Sequence, residues 1–133
     1  MKKIALVILV LLLAVAAYVW FFVWNKPKTD VKVETAIKTD AVALFNEYST
    51  NEQSANQKYL EKILEVAGIV TSVNKNAEGQ TVILLKTNDS MFGINCTMEE
   101  KDVVLKEGDA VTLKGICTGY LTDVVLIRCY KIN

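Results

Sequence analysis

The hydrophobic pattern divides the chain into an unbroken apolar run and a long stretch where apolar and polar positions interleave. Ile4 to Trp24 reads IALVILVLLLAVAAYVWFFVW, without a charge. At about 1.5 Å per residue this run makes a helix of about 30 Å, the thickness of a bilayer core. Lys2 and Lys3 precede it, Asn25, Lys26 and Lys28 follow, and Trp20 and Trp24 sit towards its far end, where indole rings favour the interface. The pattern predicts a membrane anchor over residues 1–24. A cleaved signal peptide is the rival, because Ala14-Val15-Ala16 has the small-x-small form. Cleavage there would leave YVWFFVW as an exposed end. No cysteine follows the run closely enough to carry a lipid. The basic tail favours a single pass with the tail inside and the remainder on the extracytoplasmic side.

Residues 25–39 hold the sole proline, Pro27, and alternate lysines with acids. They sustain no apolar face and read as a linker, which leaves 40–133 as the folded domain. There, Ala41, Leu44, Phe45 and Tyr48 fall at helical spacing behind Asp40, a suitable cap. Two overlapping capping boxes follow, Ser49 with Glu52 and Thr50 with Gln53. They predict a second short helix with Ala55, Tyr59 and Ile63 on one side.

The period then changes from helical to two. Strands are predicted at 64–73, 81–86 and 91–98, the last with Phe92, Ile94, Cys96 and Met98 alternating against Gly93, Asn95 and Thr97. Residues 99–107 read as a short helix or helical turn. Two more strands follow from Gly108. In one, Val111, Leu113 and Cys117 alternate with Thr112, Lys114 and Thr118; in the other, Val125, Ile127 and Cys129 alternate with Leu126, Arg128 and Tyr130. Three strands, a short helical connection and two strands is the order of the oligonucleotide/oligosaccharide-binding (OB) barrel. The fold class is therefore mainly β: a five-stranded OB-type barrel behind a helical cap and an N-terminal transmembrane helix.

NEQSANQKYLEKILEVAGIVTSV (51–73), INCTM (94–98) and EGDAVTLKGICTGYLTDVVLIRC (107–129) resemble the tRNA_anti-like OB-fold family. Its members are small bacterial domains, often secreted, membrane-anchored or lipidated. The resemblance covers about Asp40 to Ile132. It implies the barrel, no catalytic residue and no settled ligand.

Charge and chemistry narrow the function. The chain has 15 basic and 15 acidic residues; without Lys2 and Lys3 the count is 13 against 15, a net of −2. Such a domain has no global attraction for nucleic acid. There is no histidine, the commonest general base and metal ligand. Cys96, Cys117 and Cys129 lack CxxC spacing, which disfavours a metal site. They read as buried thiols or as one disulfide. Pairing Met91 level with Val124 in parallel strands sets Cys96 beside Cys129, so the expected bridge joins those two and leaves Cys117 free. Glu99, Glu100 and Asp102 read as the negative first turn of a helix rather than an acid–base site. Lys86, Lys114, Tyr120, Arg128 and Tyr130 are the candidate ligand contacts, although the two tyrosines read equally as caps on the barrel ends.

No nucleophile–base pair is evident, and no cofactor is implied. The sequence thus predicts a non-enzymatic, membrane-anchored OB binding module. Its partners would be the membrane, through Ile4 to Trp24, and a protein, peptide or glycan at the cell envelope. A nucleic-acid-binding OB domain is the alternative, disfavoured by charge. The protein purified from membranes should start at Met1 or Lys2 on N-terminal sequencing; a start near Ala17 or Tyr18 would mean a cleaved signal.

Overall fold

The computed structural model describes residues 1–25 and 30–132. Lys26, Pro27 and Lys28, part of the expected linker, lie outside the described residues. The apolar run forms one helix, α1 (Lys2–Trp24), with no buried residue. It is long and apolar enough to cross a membrane. Tyr18 stacks on Phe22 and Trp20 on Trp24, with ring centroids 5.7 and 5.3 Å apart. Those i,i+4 pairs gather aromatic surface at the helix's C-terminal end.

A short strand, β1 (Ile37–Asp40), leads into α2 (Ala41–Thr50) and α3 (Glu52–Tyr59). Asp40 caps α2 as read from sequence, its Oδ1 accepting from the Ala43 N–H at 2.8 Å. The cap of α3 differs from expectation. Asn51 Oδ1 accepts from Ser54 N–H at 3.1 Å, whereas Ser49 and Thr50 complete the last turn of α2. With Asn51 itself extended, the break between the helices falls one or two residues later than either capping box requires. Ala41, Leu44, Phe45 and Tyr48 from α2, and Ala55 and Tyr59 from α3, are buried. Glu47 joins the two helices, accepting from the Tyr59 hydroxyl at 2.9 Å and pairing with Lys58. That ion pair is largely exposed and contributes little.

Five strands follow: β2 (Ile63–Lys75), β3 (Thr81–Leu85), β4 (Ile94–Met98), β5 (Ala110–Tyr120) and β6 (Val124–Lys131). Their order is β1-β2-β3-β4-β6-β5, and β2 also pairs with β5, which closes a five-stranded barrel. Among the described residues only β4 with β6, and β1 with β2, run parallel. This is the OB barrel expected from the strand order. Its interior holds Leu64, Val66, Val70, Ile83, Leu85, Ile94, Cys96, Met98, Val111, Leu113, Cys117, Val124, Leu126 and Cys129, continuous with the helical residues.

Four expectations need correction. Part of the linker belongs to the folded unit: Ile37–Asp40 pairs in parallel with Leu64–Ala67, and Val31 is buried. The apolar positions there, Val31, Val33, Ala36 and Ile37, keep no single period, and Val33 is exposed. No helix forms over 99–107. Val103 and Leu105 pack on the core while Val104 is exposed, an alternation that suits extended chain. Glu99, Glu100 and Asp102 therefore head no helix. The third barrel strand begins at Ile94, not Met91, so Phe92 lies in a loop. Finally, the inward residues of β6 are Val124, Leu126 and Cys129, not Val125, Ile127 and Cys129. Pairing to both neighbours slips by one between Leu126 and Cys129, and Arg128 has φ 53°. A β-bulge at this point inserts one residue and resets the alternation.

The docking of α2 rests on Phe45, 5% exposed, whose ring meets Tyr120 edge-on at 6.1 Å. Phe45→Ala should destabilise the fold by about 3 kcal/mol, measured by denaturant unfolding; an unchanged midpoint would mean that the helix does not hold the barrel.

Candidate ligand-binding face

In OB barrels ligands lie across the second and third strands, between the loop joining strands one and two and the loop joining strands four and five. Those strands are β3 and β4 here, and the loops are 76–80 and 121–123. Residues paired directly across neighbouring strands point to the same face. One outward row runs Ser72, Leu84, Asn95, Val125, and the next runs Asn74, Val82, Thr97. All but the exposed Asn74 are half-buried. None is charged and none is aromatic. Lys75 and Lys86 stand near opposite ends of β3, each with acids close in sequence or in space: Glu78 beyond one, Asp89 and Glu107 around the other.

A groove of about 310 Å³ opens at one end of this face. Ile69, Leu84, Met91 and Phe92 supply its apolar wall, and Lys86, Asp89 and Glu107 its charges. Met91 is 74% exposed and Ile69 48%. The loop on its rim is built by short polar links. Thr87 Oγ1 donates to the Phe92 carbonyl at 2.7 Å, and Asp89 Oδ1 accepts from the N–H groups of Met91 and Phe92 at 2.8 and 2.9 Å. Those two donors hold the Asp89 carboxyl below its ordinary range. Its stabilising effect is therefore present above the unfolded aspartate pKa and is lost as pH falls through the lower folded value. Gly93 N–H donates to Asp123 Oδ1 at 2.8 Å, which ties this loop to 121–123.

The structure scatters the sequence-predicted contacts. Lys86 is exposed on the groove. Tyr120 is half-buried and packs between the helices and the barrel, its ring stacked on Tyr48 at 5.7 Å. It acts there as a barrel cap, the second of the two roles its sequence position allowed. Arg128 lies at the β6 bulge. Lys114 is corrected outright: it is 7% exposed, and its ammonium donates to the backbone carbonyls of Lys32, at 3.1 Å, and Glu34. Tyr130, paired with Lys114 across β5 and β6, lies beneath the Lys32 ammonium, 4.8 Å from the ring centroid. Residues 31–35 thus form a strap across the outside of β5 and β6. Val31 is buried yet stands apart from the barrel core.

Sequence reasoning missed both the groove and the strap. For the groove a signal existed: Asp89 followed at two and three residues by Met91 and Phe92 is an Asx-type turn that lifts two large apolar side chains out of the strand. For the strap none existed, since Lys114 occupies an ordinary outward position. All three cysteines are buried free thiols, and Cys117 Sγ lies 3.3 Å from the Tyr48 hydroxyl. Burial first, and then that contact, raise the Tyr48 hydroxyl above the ordinary phenol range. Among the described residues, no group of three or more His, Cys, Asp or Glu side chains could hold a metal ion.

A closed barrel in this strand order, with helices packed on one end and loops at both ends of the β3–β4 face, defines a small OB-fold protein. The sequence pattern of the tRNA_anti-like family matches residues 1–131, and the chain belongs to that family. The match runs through α1 as well as the barrel. A crystal structure similar to it is that of a candidate nucleic acid-binding lipoprotein from Klebsiella pneumoniae subsp. pneumoniae. The likeness has a TM-score of 0.59 at 14% identity over 81% of this chain and 100% of that one, and it concerns the fold. No curated protein matches the chain in sequence.

The strap generates a direct expectation. Replacing Lys114 with Met removes the donor to two carbonyls while keeping most of the stem. Lys114→Met should increase cleavage within 30–36 during brief proteolysis severalfold; equal cleavage of both proteins would show that the lysine does not hold the strap.

Proposed function

We propose that the chain is a non-enzymatic binding module, held to the cell envelope by α1 and presenting its barrel on the extracytoplasmic side to a protein, peptide or glycan. Support for a neutral partner comes from the outward rows Ser72–Leu84–Asn95–Val125 and Asn74–Val82–Thr97. They offer apolar contact with amide and hydroxyl groups. They lack both the cations that displace phosphate counterions and the aromatic rings on which bases stack. Support for an anchor comes from the 23 residues of α1, every one unburied, in a chain whose helices otherwise bury an apolar stripe. The Ile69–Phe92 groove adjoins the rows through Leu84 and would take an apolar side chain of the partner.

The second reading is nucleic-acid binding. It is favoured by the Klebsiella lipoprotein's description and opposed by the composition of the rows. Titration of the full chain in detergent with single-stranded DNA and RNA at low salt separates the two. The expected outcome is no saturable binding tighter than about 10⁻⁵ M, within the range of weak non-specific association. Affinity tighter than about 10⁻⁶ M that falls steeply with salt would establish the nucleic-acid reading instead. In parallel, capture from solubilised membranes should retain a partner with the native chain and lose it with Asn95→Arg; retention by both would move the contact surface off this face.

A further inference from the structure

The barrel interior holds an arrangement of thiols that the binding reading leaves unused. Cys96 on β4 and Cys117 on β5 are both level with Leu126 of β6, which runs between those strands. All three residues are buried, so the Leu126 side chain stands between the two sulfurs. Cys129 would point outwards if β6 kept its alternation beyond Leu126. The bulge at Ile127 and Arg128 turns it inwards, level with Met98 and next along from Cys96. A glycine makes room for its sulfur: a Cβ on Gly115 would run into Cys129 Sγ and come within 3.0 Å of the Ile127 carbonyl oxygen. The Cys96 and Cys129 side chains are within hydrogen-bonding contact, and that contact, followed by burial, raises the Cys96 thiol well above its ordinary range. Cys117 is occupied elsewhere, against the Tyr48 hydroxyl.

We infer that Cys96 and Cys129 are a disulfide-forming pair, closed across the parallel strands β4 and β6 while the barrel folds, with Cys117 left as a thiol. The observed register differs from the one expected from sequence. Val124 is level with Ile94 rather than Met91, and the bulge restores the proximity that this shift removes. The oxidant is a small disulfide such as glutathione disulfide. One cysteine thiolate attacks a glutathione sulfur and releases a glutathione thiolate. The second cysteine thiolate then attacks the protein sulfur of that mixed disulfide and releases the other. Two protons leave the cysteines, and two electrons reduce one glutathione disulfide to two glutathiones. In the folded barrel both sulfurs are fully buried, out of reach of a disulfide in solution, so exchange belongs to the unfolded or opening chain. Once formed, the bond is shielded from reductants by the same burial. Its occurrence in the cell rests on the outward placement proposed above, where oxidising conditions prevail; the chemistry of the pair does not.

The test uses the full chain, reduced and unfolded in denaturant, then refolded in detergent with a glutathione and glutathione disulfide buffer. Alkylation and peptide mapping should find Cys96 joined to Cys129, Cys117 alkylated, and a protein lighter by two hydrogens. The Cys117→Ser variant should form the same link. Reduction by dithiothreitol should be at least tenfold slower in native buffer than in denaturant. Three alkylated cysteines, or a link that includes Cys117, overturns the pairing. A second arm alkylates intact cells before lysis. The link in that sample supports both pair and placement. Free thiols there, with the link formed on refolding, refute the outward placement and leave the pair standing.

Discussion

One strand has to pair with different partners along its two halves, and the closure of the barrel depends on its doing so. β2 runs for 13 residues. Its first half pairs with β5 on one edge and β1 on the other, and its second half pairs with β3. No straight strand can follow both partners. The turn between them falls at Gly68, where a Cβ would lie 3.1 Å from Ala41 Cβ and 3.3 Å from Leu85, and at a slip in pairing between Val70 and Ser72. The missing side chain lets α2 and β3 close on the bend together. Closure then leaves no long open edge, which matters for a domain this small.

The parts of the fold legible in the sequence are those where one strand or helix keeps its period. Val111, Leu113 and Cys117 point inwards as their alternation requires, and Leu44, Phe45 and Tyr48 are buried as their spacing requires. The errors gather where period is broken by something distant. Arg128 adopts a left-handed backbone because β6 must match β4 and β5 at once. Nothing within VVLIRCY announces that. Residues 99–107 carry helix-compatible acids and lysines, but their backbone is claimed elsewhere: Glu99 N–H donates to the Cys129 carbonyl, and the Asp109 carboxylate accepts from Lys106 N–H.

The candidate face is harder to read than the barrel for a related reason. Charged and aromatic residues attract notice in a sequence, and here most of those singled out are engaged in building the domain. Tyr120 seats the helices and Lys114 holds the strap. The face itself consists of Ser, Asn, Thr, Val and Leu, whose significance is positional. They become a surface only when the register aligns them.

The strap has a bearing on how the domain is held and where it can be cut. Six peptide steps separate Asn25, just past α1, from the buried Val31. Fully extended they reach roughly 20 Å. The chain therefore meets the barrel first on one flank, through the strap, and only then at β1 and α2. A soluble version beginning at Asp40 would lose the strand beside β2, the carbonyl partners of Lys114 and the cover over Tyr130. Beginning it at Asp30 keeps all three.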